Sequence, residues 1–152
     1  MSITILAVGK KHEDWVSPGV ERYEKRLKQP FDTKWVLLPH SSFDGDRARQ
    51  EESERIVKRI GQDDFVVLLD ERGKNIDSPA LSGILDRAHG NGRPVVCIIG
   101  GAYGVDETIH NRANMVWSLS KLVFPHQLVR LILTEQIYRA QEIARGGRYH
   151  HE

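Results

Sequence analysis

Five short apolar runs, each of strand length, alternate with five stretches of helical periodicity along the whole chain. The runs cover residues 3–8, 33–38, 65–69, 95–99 and 115–119, and the helical stretches cover 14–27, 46–60, 79–89, 106–113 and 125–145. Such alternation calls for parallel strands joined by crossover helices. The expected fold class is therefore α/β, a parallel sheet flanked by helices, with residues 1–152 forming a single domain. Start signals agree: Ser78 before Pro79 predicts an N-cap, Asp106 predicts another, and Pro125 suits the first turn of the last helix. Gly61, Gly90 and Gly146 predict helix ends. Residues 41–49 form the longest polar irregular stretch and read as a solvated, mobile loop.

Composition narrows the function. The formal net charge is only +1, so any contact with nucleic acid must come from local basic patches rather than an overall positive field. A single cysteine, Cys97, excludes an internal disulfide and lies in an apolar run, where it reads as a small core residue. No apolar stretch reaches membrane-spanning length. The first eight residues lack a basic lead and a small-residue cleavage site, so they read as a strand, and a cytoplasmic protein is expected.

Chemistry concentrates in the last third. A glycine-rich turn, Gly100-Gly101-Ala102-Tyr103-Gly104, follows the fourth strand run, and Ser120-Lys121-Leu122-Val123-Phe124-Pro125 follows the fifth. Two loops leaving the same end of adjacent strands make a crevice, where open α/β sheets bind ligands. The pattern is neither a dinucleotide fingerprint nor a phosphate-binding P-loop. With one lysine among apolar residues, the loops suit a flat, mostly uncharged cofactor.

The final helix is apolar over most of its circumference, which predicts burial on two sides and hence a homodimer, the alternative being a helix wedged centrally in a monomer. Its narrow polar stripe carries Glu135 and Arg139, spaced i,i+4 on one face. They are either a surface ion pair or an anion clamp whose fork Glu135 sets. Gly146-Gly147 reads as a hinge before a basic, aromatic tail with Tyr149 and His150. Tyrosine stacks on bases and histidine moves protons near neutral pH. His12, His40, His89 and His110 read as scattered surface or core-edge residues, and no spacing suggests a metal site.

The order and spacing of several segments carry a resemblance. They are Leu69 at the end of the third strand, Ile98-Ile99-Gly100-Gly101 with Gly104, the run from Ser118 to Arg130, Glu135-Gln136 with Tyr138-Arg139-Ala140, and Tyr149-His150. The chain resembles, over essentially its whole length, the ribosomal RNA large subunit methyltransferase H family, small members of the SPOUT class. The resemblance implies a trefoil knot near the C-terminus, a homodimer, S-adenosyl-L-methionine as methyl donor, and N3-methylation of a pseudouridine in large-subunit ribosomal RNA within assembled ribosomes. It further implies a cofactor site of Leu69, Gly101, Ser120, Lys121, Leu122, Val123, Phe124 and Pro125. Catalytic roles would fall to Arg139, Glu135, Tyr149 and His150, the last as proton acceptor, with the tail reaching a partner's pocket. His151 stands where some members have arginine, so no phosphate contact is carried over to that position. The competing expectation is a non-catalytic ribosome-associated RNA-binding factor on the same fold.

Overall fold

A computed structural model describes residues 2–151, without the side chain of His151, so the departure at that position lies outside the described residues. The strands are β1 (Ile3–Val8), β2 (Thr33–Leu38), β3 (Phe65–Lys74), β4 (Val95–Ile99) and β5 (Met115–Trp117). They form one sheet in the order β2-β1-β4-β3-β5, with every pairing parallel. The helices are α1 (Ser17–Glu24), α2 (Gly45–Val57), α3 (Ser78–Gly90), α4 (Glu107–Arg112) and α5 (His126–Ala144), followed by a single 3-10 turn, Tyr149–His151.

Side chains alternate between the two faces of the sheet with the period of two that strands impose. On β4, Val95, Cys97 and Ile99 enter a core shared with Leu81 and Leu85 of α3 and with Leu133 and Ile137 of α5. Val96 and Ile98 enter the opposite core with Ile56 of α2 and Ile109 of α4. Both faces are dry, which is why the strand runs are continuously apolar in sequence. Burial pushes the Cys97 thiol up to about 12, so it is an inert core residue, as expected.

Several boundaries differ from expectation for identifiable reasons. Pro18 lies in the first turn of α1, so the helix begins at Ser17 rather than Asp14, because an interior proline would clash with the carbonyl four residues back. The N-cap of α3 is Asp77, not Ser78: its carboxylate accepts from Ala80 N at 2.8 Å. Ser78 instead donates its hydroxyl to Gln136 Oε1 at 2.7 Å, tying α3 to α5. Residues 41–44 are anchored rather than loose, since Ser41 N donates to Glu52 Oε2 and the helix begins at Gly45.

Two corrections bear on the site. First, β4 and β5 are not adjacent, because β3 lies between them. Second, β3 runs five residues beyond its apolar stretch, with a register shift after Leu69 that brings Lys74 back to Trp117. The returning backbone passes so close to β5 that a Cβ on Gly73 would sit 2.4 Å from the Val116 carbonyl oxygen. Glycine is obligatory at that crossing. Gly146-Gly147 is likewise not a hinge. Gly146 N donates to Ile143 O, Gly147 N donates to Glu142 O, and Gly146 has a φ of 72°, the paired bonds that close a helix C-terminus.

Helix α5 packs between α1 and α3 of its own chain, and its buried row is Leu133, Ile137 and Ala140. Gln141 joins it to α1, accepting from Lys28 N at 2.6 Å and donating to Arg26 O at 3.1 Å. Much of the apolar surface assigned to a partner is thus covered within the chain, while Leu128, Leu131, Ile132 and Ile143 stay half-buried.

Gly73→Ala tests the crossing. The added methyl meets backbone rather than a movable side chain, so the urea midpoint should fall by the equivalent of at least about 2 kcal/mol. An unchanged midpoint would show that the two segments separate freely.

Candidate active site

A cleft of about 380 Å³ opens at the C-terminal edge of the sheet. Three backbone turns line it: residues 68–72 at the end of β3, 99–105 after β4, and 119, 120 and 122–124 after β5. The middle turn is shaped by glycines. Gly104 N bonds Gly101 O at 3.0 Å, with Gly104 at a φ of 74°. A Cβ on Gly101 would lie 2.6 Å from Glu52 Oε1, so the backbone packs directly on a buried carboxylate. The third turn is held by its own serines. Ser118 Oγ donates to Ser120 O, Ser120 Oγ accepts from Leu122 N, and Asn75 Nδ2 donates to Ser118 O.

Of the residues expected to hold a cofactor, Leu69, Gly101, Ser120, Leu122, Val123 and Phe124 line the cleft. Lys121 and Pro125 do not, and both are exposed. Leu122 and Val123 are 69% and 77% exposed, a large apolar surface left open at the cleft mouth. Sequence reasoning missed the polar wall. Asp70 bonds Arg72 through both carboxylate oxygens, at 3.2 and 3.0 Å, and His110 Nε2 lies 3.2 Å from Asp70 Oδ2. Although burial alone would raise the Asp70 pKa, the hydrogen bonds and charge of Arg72 and the charge of His110 hold it below the usual carboxylate value. The signal that could have found it is the polar run after Leu69, which read as the end of a strand.

The residues expected to act in catalysis gather elsewhere. Glu135 Oε2 accepts from Arg139 Nε and Nη2, both at 3.1 Å, and from the Tyr149 hydroxyl at 3.1 Å. Arg139 Nη1 donates to His150 O at 3.3 Å, and its guanidinium lies over the Tyr149 ring at 4.7 Å. Burial pushes the Tyr149 phenol up, helped by Tyr23 and Glu135, so it remains a hydrogen-bond donor at neutral pH. None of these four residues lines the cleft. Val129 does, and Arg139 is ten residues further along α5, about 15 Å on the helix axis.

A third group had no sequence signal. His12 and His40, read as scattered, converge on Arg130, whose side chain is 1% exposed. Arg130 Nη1 donates to Lys10 O at 2.8 Å and meets His12 Nδ1 at 3.3 Å, while Nε is buried without a partner. Burying a guanidinium costs several kcal/mol, against roughly 1.5–3 kcal/mol for a hydrogen bond to a charged group. The cost wins, and burial holds the Arg130 pKa below its ordinary value. Burial and the charge of Arg130 also pull down the pKa values of His12 and His126.

The parallel sheet, the crossing and the three-turn cleft define an α/β protein of the class whose ligand crevice lies at the carboxyl edge of its strands. Residues 1–150 match a family model described as "Predicted SPOUT methyltransferase". The chain is 39% identical over 158 residues to ribosomal RNA large subunit methyltransferase H of Desulfitobacterium hafniense, with 99% of each chain covered. It is 36% identical over 156 residues to the protein of that name from Hahella chejuensis, with both chains fully covered. A methylase family protein from Neisseria gonorrhoeae shares the fold at a TM-score of 0.50 and 14% identity, over 90% of this chain and 81% of that one. The chain belongs to the SPOUT methyltransferases and, within them, to the ribosomal RNA large subunit methyltransferase H family.

The histidines generate a pH prediction. His12 and His126 are neutral in the folded protein and take up protons on unfolding below about pH 6.5, so the unfolded state binds more protons there. Stability should be level above that value and fall as the pH drops toward 5. In NMR titrations, the imidazole signals of both should move at lower pH than those of a free histidine. Ordinary titration midpoints for both would refute the assignment.

Proposed function

We propose that this chain transfers a methyl group from S-adenosyl-L-methionine to N3 of a pseudouridine in large-subunit ribosomal RNA, on assembled ribosomes, as a homodimer. The observation that carries the reading is the split in the site: a cleft with apolar and polar walls at one end of α5 and the tail-covered Glu135–Arg139 pair at the other, separated within one chain. A second copy placing its α5 C-terminus against the cleft completes a reaction centre that one chain leaves in halves. The half-buried Leu128, Leu131 and Ile132 on α5 are apolar surface available to such a contact. The passage of Gly73 over Val116 is the kind of close approach a threaded, knotted chain requires, which supports the trefoil knot.

The cleft suits the cofactor. Trp117, Leu119, Leu122, Val123 and Phe124 offer apolar walls for a purine, and the bare backbone at Gly101 and Gly104 lets amide groups approach its edge. Asp70 and Ser120 are polar groups suited to ribose hydroxyls. The low pKa of Asp70 keeps it an acceptor at neutral pH. When bound, S-adenosylmethionine supplies an electrophilic methyl group on a sulfonium, needing no metal.

The chain's own residues then handle the proton and the charge. The pseudouridine N3–H must lose its proton as the nitrogen attacks. His150 is placed beside Arg139 and is the group to accept that proton. Arg139 stabilises the developing imide anion, with Glu135 fixing the side of the guanidinium that faces away from the base. Tyr149 stays protonated, braces Glu135 through its hydroxyl, and offers a ring against which a base can stack. The low net charge fits a substrate recognised as a preformed ribosomal surface, because no overall field attracts free RNA.

Complementation tests the shared site. Arg139→Ala should bind cofactor normally in calorimetry yet transfer tritiated methyl to ribosomes about 10²–10³-fold more slowly. Gly101→Ala should lose cofactor binding, because its methyl meets Glu52. Mixing the two inactive variants under subunit exchange should restore a sizeable fraction of the activity through dimers with one intact centre. No recovery despite exchange would place both halves in one chain. Cofactor binding with no labelled ribosomes from the wild type would favour a non-catalytic ribosome-associated factor.

A further inference from the structure

We propose that Arg130 and His40, meeting over the bare backbone of Gly9, form a receptor for one backbone phosphate of the RNA substrate beside the cofactor cleft. The inference rests on the reading of this chain as an RNA methyltransferase. Arg130 reaches from α5 under the turn that follows β1, and only Nη1 is used, by Lys10 O and His12 Nδ1. Nε is buried without a partner, and Nη2 has no hydrogen-bond partner among the described residues. No carboxylate forms an ion pair with this guanidinium among the described residues. The acid whose charge acts on it is Glu13. A nearly fully buried guanidinium with two idle nitrogens and no counter-ion is a charge for which an anion is missing.

The direction of Nη2 locates the place for it. Gly9 has a φ of 132°, and a Cβ there would lie 3.3 Å from Arg130 Nη2 and 3.2 Å from His40 Nε2. Two nitrogens from different elements thus converge on one spot that a side chain at position 9 would fill. His40 opens the spot to solvent, its side chain being 52% exposed. Its other nitrogen faces the buried Glu52, with Nδ1 at 3.9 Å from Oε2. Lys10 and Lys11 are consecutive with Gly9, and Lys11 is exposed. His12 and His126, packed against Arg130, add no charge to compete for an anion.

Position argues for a phosphate of the RNA. His126 lines the cleft and lies four residues before Arg130 on the same helix, and Val8, the neighbour of Gly9, lies 3.2 Å from the Cβ position of the cleft residue Gly101. The strand end that carries Gly9 thus packs against the cleft wall, which puts the receptor at the cleft's border. A phosphate held there would anchor the strand whose base enters the cleft. The flat fork of a guanidinium matches phosphate oxygens, and such a contact fixes register without reading sequence. Arg130 itself does not line the cleft, which separates this receptor from the groups that touch the cofactor.

The test is binding of the wild type, His40→Ala and Arg130→Gln to ribosomes across a salt series, with calorimetry of S-adenosylhomocysteine alongside. Loss of one phosphate contact should weaken binding several-fold for His40→Ala and at least tenfold for Arg130→Gln. It should also lower the slope of log affinity against log salt by nearly one in Arg130→Gln. Cofactor affinity should not change in either variant. Because Arg130→Gln alters a buried side chain and can fail to fold, the half-exposed His40 carries the test on its own, and Arg130→Lys should recover part of the slope. Wild-type ribosome affinity in folded variants would overturn the receptor and leave the proposed function standing. Loss of cofactor affinity instead would assign the notch to the cofactor's carboxylate and also overturn it. A wild type that does not bind ribosomes would overturn both.

Discussion

The site depends on a contact between two stretches of backbone in which no side chain takes part. Where β3 returns to β5, Gly73 lies against Val116 and Trp117 with no room for a Cβ, and Ser118 N donates to Lys74 O at 2.9 Å. That crossing pulls the turns at residues 70–73 and 118–124 together although their strands begin from different parts of the sequence. It also ends β5 after three residues, releasing Leu119 to Phe124 to become a wall of the cleft. Elsewhere the apolar cores set the sheet, but they do not by themselves produce a crevice. The crevice comes from the backbone packing that the crossing imposes.

Helix α5 then distributes the chemistry. Its 19 residues span about 28 Å. Leu133, Ile137 and Ala140 lock its rotation against the sheet, and Gln141 and Thr134 satisfy their polar groups inside the packing. With rotation fixed, each position faces one direction. His126 and Val129 meet the cleft, Arg130 points under β1, and Glu135 and Arg139 meet the tail. A helix held on both sides by α1 and α3 cannot fold its ends together. The separation of the cleft from the Glu135–Arg139 pair is therefore built into the packing.

Most of the architecture was legible in sequence because it follows from periodicity. All five strand starts and the fold class come from apolar runs, and Asp106 caps α4 as its residue type suggests. What was not legible depends on contacts between distant residues. The strand order put β3 between β4 and β5, and no local pattern reveals such an insertion. The extension of β3 through Asp70, Glu71 and Arg72 is polar, so an apolar-run criterion stops at Leu69. Gly146-Gly147 looked like a hinge because glycine permits many conformations, whereas here its positive φ closes a helix and turns the tail back onto α5. His12 and His40 looked scattered because 90 or more residues separate each from Arg130.

Buried polar groups separate into those that complete the fold and those that face outward needs. Gln141 and Ser82 are buried and hydrogen-bonded between elements, while Thr134 donates to Arg130 O within α5, so all three are satisfied inside the fold. Asp32 and His89 retain unpartnered atoms at the opposite end of the sheet, where the charge of the carboxylate acts on the imidazole and Asp32 also accepts from the Ser2 hydroxyl. Glu52 and Arg130 are different, since their idle atoms lie at the carboxyl edge, against Gly101 and Gly9. At Gly101 the glycine is needed because the buried Glu52 carboxylate lies where a Cβ would go, whereas at Gly9 it is the φ of 132° that favours glycine. With a net charge of +1, this molecule cannot attract an anionic substrate from a distance. Its discrimination must come from a few charges held in fixed directions, and burial is what fixes them.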